Sequence, residues 1–338
     1  MTHKNIERGN HEKRGTYAEF FDAVKSAART AGVVVTMACM LWTGFASNCK
    51  ADISVQQNKT KTASSQYISG YAVLVSQEGK KDIYVTGIHG TWTIPAIKGI
   101  GLNRNTGPDI SKCSRKDANI QYILQLINLS SVVKNTSISE GVVTEYENGK
   151  ELYGAFYTLP TSHSLIEMPD FKVAAGDTVQ ADIHSEAGSR AMWTITMRNT
   201  TENEKFSIDV PVSEPLTIAG WTITTPSYQE KCDNVEQMYV SPFMNFGTAS
   251  FNNVSIDTNL GNKGRNFTLQ QLANADWAKI CRIVTIYGSY DKNNAIVIAP
   301  SLDIGKKGGF DMAYKIVNIK GMDTDEIIKK LYRVVYSR

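Results

Sequence analysis

The sequence predicts an all-β protein, a sandwich of two large antiparallel sheets with minor helices, on three observations. First, from Tyr67 onward short runs rich in β-branched and aromatic residues recur between turn residues, the pattern of many short strands in one layered domain. Second, Val179, Ala181 and Ile183 alternate with Gln180, Asp182 and His184, which is the period of a strand with one buried and one wet face. Third, only two stretches carry helix-capping signals. The 338 residues can bury a large core, and that length suits a single β domain.

The N-terminal part stands apart. Residues 1–51 hold seven of the 36 Lys/Arg and four of the 33 Asp/Glu, which leaves 29 of each in the rest of the chain. The body is therefore neutral, and a nucleic-acid module, which needs a basic stripe, is excluded. Between Arg29 and Lys50 lie twenty uncharged residues. An apolar run after a basic stretch, ending in small residues at Cys49 and Ala51, reads as an export signal cleaved near Ala51. The alternative is an uncleaved anchor holding the protein on the external face of a membrane, since twenty residues can just span a bilayer. Residues 52–66, DISVQQNKTKTASSQ, are polar and read as a spacer.

The sandwich is expected over residues 67–315, in thirteen runs. In order they are YAVLVS, DIYVTGIHGTWTIP, NIQYILQLI, GVVTEY, ELYGAFYTL, FKVAAGDTVQADIHS, AMWTITMRNT, KFSIDVPV, LTIAGWTITTP, FGTASFNNVSID, RIVTIYG, AIVIAPSL and DMAYKIVNI. Such a series fits a concanavalin-like or jelly-roll-like arrangement. One helix is expected where Thr268 and Gln271 form a capping box ahead of LQQLANADWAKIC. A second is expected where Thr324 caps DEIIKKLYR, within a C-terminal extension over 316–338.

Little in the chain carries a ready chemistry. Of the five cysteines, Cys39 and Cys49 lie in the export segment, so Cys113, Cys232 and Cys281 allow one disulfide at most. Six N-x-[ST] sequons, at Asn58, Asn128, Asn135, Asn199, Asn253 and Asn266, are near the number expected by chance in so Asn- and Thr-rich a chain. The histidines are His3, His11, His89, His163 and His184. Without H-E-x-x-H, C-x-x-C, G-x-S-x-G or a P-loop, zinc, serine-hydrolase and nucleotide chemistry have no handle, and no cofactor is expected. His89 reads as a turn residue in GIHG and His184 as a solvated one. The glutamates are scattered without a strand pattern that would pair two carboxylates across a sugar.

One residue does ask for an explanation. In QYILQLINLS, residues 121–130, the strand is apolar on both faces except for the amides, and Gln125 sits at its centre. Burying an unpaired amide costs about 1–3 kcal/mol on mutational scales. It therefore needs a partner, either neighbouring backbone or a bound ligand.

The order of segments bears on which. ISGYAVL (68–74), GTWTIP (90–95), YILQ (122–125), a Tyr/Phe-rich strand ending in Pro160, VAAGDTVQADI (173–183), IAGWTIT (218–224) and FGTASFNNVSI (246–256) resemble the eqolisins, or glutamic peptidases. That resemblance implies a sandwich whose concave face binds an extended polypeptide. It also implies a catalytic pair in which a Glu acts as general base and a Gln amide stabilises the oxyanion.

Gln125 falls on the family's glutamine, and Trp92, Tyr157 and Trp221 on its substrate-binding wall. The family's glutamate position is occupied by Thr224, whose hydroxyl cannot serve as a base at acid pH. Glu214, Glu230 and Glu236 lie near Thr224 in sequence as substitute carboxylates. Two readings stay open: a secreted acid endopeptidase, or an inactive sandwich that binds peptide or glycan.

Overall fold

The computed structural model describes residues 60–65, 68–75, 82–98, 121–131, 136–147, 149–160, 162–186, 191–225, 227–232, 235–240, 243–260, 265–291, 294–301, 308–318 and 320–321. The export segment, Asn58, Cys113 and the Thr324 helix lie outside them.

The described residues are built almost wholly of strands. In order these are β1 (Thr60–Ser65), β2 (Ile68–Val75), β3 (Val85–Thr93), β4 (Gln121–Ser130), β5 (Ser137–Glu147), β6 (Lys150–Leu159), β7 (Ser162–Glu167), β8 (Thr178–Ser185) and β9 (Met192–Asn199). They continue with β10 (Glu204–Pro211), β11 (Ile218–Thr224), β12 (Ser227–Cys232), β13 (Val235–Val240), β14 (Thr248–Thr258), β15 (Arg265–Thr268), β16 (Ala278–Asp291), β17 (Asn294–Pro300) and β18 (Phe310–Asn318). One helical turn, α1 (Leu269–Leu272), separates β15 from β16.

The main ladder runs β10-β9-β8-β3-β14-β18-β17-β16-β2-β11-β4-β5-β6-β7. It folds over so that β3 lies across β4 and β11, β8 across β5, and β14 across β11, giving the two layers of the expected sandwich. Between the layers is one large apolar core, with Ile123, Ile127, Trp221 and Ile223 from one side and Ile88, Trp92, Ile183, Ile195 and Phe251 from the other. The alternation in β8 is as read: Val179, Ala181 and Ile183 are buried and Gln180 is exposed. Among the polar links that cross between the layers, Trp221 Nε1 donates to the His89 carbonyl at 2.8 Å and the Asp182 amide donates to Glu140 Oε1 at 2.7 Å.

Three expectations change in detail. The capping box is present, Thr268 Oγ1 accepting from the Gln271 amide, but the helix it opens lasts only four residues, because Ala278 already enters β16. Residues 60–65 of the polar spacer form β1, parallel to β16; backbone pairing needs no apolar side chains. His89 is not a turn residue but lies within β3, opposite Asp182 on β8 and Ser255 on β14. Cys281 is disulfide-bonded.

Candidate functional site

Register decides which face each candidate occupies. In an antiparallel ladder, residues directly opposite each other share a face and successive residues alternate. Gln125 is opposite Ile223 on β11 and Val142 on β5, whereas Thr224 is opposite Leu124. Gln125 and Thr224 therefore lie on opposite faces of the sheet. Gln125 shares its face with Ile123 and Ile127 and turns toward the core between the layers. Thr224 shares the other face with Leu124 and Leu126, which pack with Tyr122, Val143, Phe156 and Leu165. Neither side chain is open to solvent: Gln125 is 5% exposed and Thr224 is 1% exposed.

The aromatic candidates also turn inward. Trp92 and Trp221 are completely buried, and Tyr157 stacks on Phe206. Each is on the core-facing phase of its strand. Glu214 lies before β11 in a half-buried position, and the side chains of Glu230 and Glu236 fall outside the described residues.

The carboxylate nearest Gln125 on its face in the β4–β5 register is Glu140. It is opposite Ile127 on β5, one diagonal step from Gln125, and such neighbours are about 7–8 Å apart at the backbone, within reach of long side chains. Glu140 is wholly buried. Burial drives its carboxyl well above the usual carboxylate range; the Asp182 amide acts against this and the Asp182 charge adds to it. Its Oε2 atom has no hydrogen-bond partner, and neither does Gln125 Nε2. A Gln and a Glu thus stand side by side inside the core, each with one polar atom unsatisfied. As placed, they are closed to a polypeptide.

On the outer face of the other layer is a cluster that sequence reading left as separate residues. His89 Nδ1 is 2.5 Å from Asp182 Oδ2 and its Nε2 is 2.8 Å from Asp257 Oδ2. His184 Nδ1 is hydrogen-bonded to the other oxygen of Asp182, and Asn266 donates to Asp257 at 2.8 Å. Gly87, opposite both His184 and Asp257, leaves the room this needs: a Cβ there would meet Asp257 Oδ2 at 2.9 Å and His89 Nε2 at 3.3 Å.

Burial alone would lower the His89 pKa, but its bonds to Asp182 and Asp257 and their charges raise it from 6.5 to about 9. Burial would raise the Asp182 pKa, yet His89 and then His184 hold it below the ordinary value. Asp257 is held low chiefly by its His89 bond. The cluster is an imidazolium clamped between two carboxylates. With both ring nitrogens engaged, His89 has no free position to bind a ligand or take a proton. Among the described residues, no group of three or more His, Cys, Asp or Glu is placed to hold a metal ion.

The fold and these positions define a two-layered β-sandwich that carries a buried amide on a central strand. The chain belongs to the Peptidase A4 family: that family's model matches residues 69–294, from the second residue of β2 to the first of β17. Among solved structures it is similar to scytalido-glutamic peptidase with a transition state analog inhibitor, at 16% identity over 74% of this chain and 98% of that one, TM-score 0.48. It is also similar to SCP-B, a member of the eqolisin family in complex with the tripeptide Ala-Ile-His, at 16% identity over 74% and 98%, TM-score 0.46. A third is aspergilloglutamic peptidase from Aspergillus niger, at 17% identity over 57% and 99%, TM-score 0.39. No curated protein matches the chain.

Proposed function

We propose that this protein engages polypeptide, as membership of a peptidase family implies, but does so without the Gln–Glu pair of a glutamic peptidase. The observation that carries this reading is the register of β4 on β11: Gln125 is opposite Ile223 and Thr224 is opposite Leu124. A water cannot be activated and its oxyanion stabilised from two faces of one sheet, since both groups must approach the same carbonyl to about 3 Å. A threonine at the glutamate position supplies no base in any case. Incubating the purified protein with an unfolded, fluorescently labelled polypeptide at about pH 2–5 is expected to give binding without cleavage. Cleavage that depends on Gln125, or the absence of binding throughout that range, contradicts the proposal.

A second reading has its own support, in the unsatisfied Gln125 Nε2 and Glu140 Oε2 on a shared face. In it the protein is a glutamic-type endopeptidase with Gln125 as the oxyanion donor and Glu140 as the carboxylate in place of Thr224. It requires pepstatin-insensitive hydrolysis that is lost in both Gln125→Ala and Glu140→Gln. Full activity in either variant removes it.

Export belongs to the same proposal. Residues 1–51 serve as a signal, or as an anchor holding the domain outside the membrane. Sequencing the N-terminus of the exported protein distinguishes them: a start near residue 52 means cleavage, and a start at Met1 means retention.

A further inference from the structure

Glu140 is unusual for where it stands rather than for what surrounds the proposed function. It is completely buried on the core face of β5, yet it accepts a hydrogen bond from the opposite layer, from the Asp182 amide on β8. It is therefore a polar link between the layers. Its second oxygen is unsatisfied, and the amide nitrogen of its diagonal neighbour Gln125 is unsatisfied as well. Two buried orphans in reach of each other point to one missing hydrogen bond rather than to two separate penalties.

The proton settles the chemistry. An ionised Glu140 could accept from the Asp182 amide and from the Gln125 amide nitrogen, but its charge would lie in the core near the carboxylate of Asp182. A neutral Glu140 accepts the Asp182 amide through Oε1 and can donate Oε2–H. The natural acceptor is the Gln125 amide oxygen, reached by turning that amide half a revolution, which exchanges atoms of nearly equal size.

The surroundings favour the neutral form. From β4, Ile127 stands opposite and Gln125 and Leu129 are diagonal to it; from β6, Tyr157 stands opposite. The charged groups across the layer are Asp182 and, behind it, His89 and His184, which are already engaged with Asp182. No cation among these is directed at Glu140.

We propose that Glu140 in its neutral acid form bolts the two layers together, holding Asp182 of one and Gln125 of the other, and that rising pH withdraws the bolt and loosens the sandwich. The domain is thereby built for acidic surroundings, whichever reading of its function holds. Its sign follows from linkage. An acid whose folded-state value is raised binds more protons folded than unfolded, so folding is unpenalised below the unfolded value of about 4.5 and loses stability as pH climbs above it. The loss continues until the folded group has ionised.

Denaturant unfolding of the full chain between pH 4.5 and 8 tests this, comparing wild type with Glu140→Gln. The amide keeps an acceptor for Asp182 but cannot ionise. His89, Asp182 and Asp257 titrate alike in both proteins, so the difference isolates residue 140. In wild type the unfolding constant should rise relative to the variant by up to about tenfold per pH unit, the limit for one proton. Parallel profiles overturn the proposal.

Should Glu140→Gln fail to fold, infrared difference spectra of wild type carry the test. A protonated carboxyl surviving well above pH 4.5, with its band displaced in Gln125→Leu, is expected. Ordinary titration of every carboxyl, or a band indifferent to Gln125, overturns it.

Discussion

His89 shows how one side chain can set a pH window. Its folded pKa is raised to about 9 from 6.5, so the stability it contributes is complete below about 6.5 and disappears as pH rises through 9. Asp182 and Asp257 work at the other end: held below 3.8, they contribute above that value and lose their contribution as pH falls through their folded values. Replacing His89 with Leu leaves two half-buried carboxylates 33–35% exposed without their shared cation. That substitution is expected to cost about 2–3 kcal/mol near neutral pH and to remove the fall in stability between pH 6.5 and 9. Urea unfolding at several pH values checks both, and an unchanged profile contradicts the clamp. None of this cluster was legible as a cluster. The polar phase of β8 put Asp182 and His184 on one face, but His89 and Asp257 come from strands far away in sequence, and only pairing of β3 with both β8 and β14 brings them together.

Strands carried the clearest signal where one face is wet, as in β8, and the weakest where both faces are dry. All ten positions of β4 are buried, so periodicity cannot say which side Gln125 takes; its neighbours on either phase are apolar. The amide was recognisable as anomalous, but its direction awaited the register with β11. Five strands, β1, β7, β12, β13 and β15, carry no apolar run in the sequence, although Leu165 of β7 is buried and Phe267 of β15 packs against the core. The four-residue helix was marked by its cap, whereas its early end comes from β16 competing for the same chain. Close strand approach makes its own prediction. A Cβ on Gly141 would meet the Gln125 carbonyl oxygen at 2.4 Å and Leu126 Cβ at 2.6 Å, both fixed by the β4–β5 ladder. Gly141→Ala is expected to destabilise by about 3 kcal/mol, at the upper end for overpacking, in thermal or urea unfolding. A near-neutral result means that the β4–β5 register differs from this one.

At the scale of the whole molecule, the sandwich class and most of its strands were readable, since alternation and turn spacing are local. The order of strands in the sheet was not, because β2, β11 and β4 are neighbours although long stretches of chain separate them. That non-local order is what divides Gln125 from Thr224, whereas Gln125 and Glu140 meet across the consecutive strands β4 and β5. It also fixes the pH response of the whole. Below about pH 3.8 the His89 clamp weakens as its carboxylates take up protons, and above about 4.5 the ionisation of Glu140 opposes folding, so stability is expected to peak in mildly acid solution. A stability maximum at or above pH 8 contradicts this balance.

The protein belongs to a peptidase family, and the β4–β11 register places Gln125 and Thr224 on opposite faces of the sheet. The most direct measurement follows cleavage and binding of one labelled unfolded polypeptide at about pH 2–5, with pepstatin present, for wild type and Gln125→Ala side by side. Binding with no cleavage by either protein is the predicted result. Pepstatin-insensitive cleavage by wild type that disappears in Gln125→Ala would contradict it.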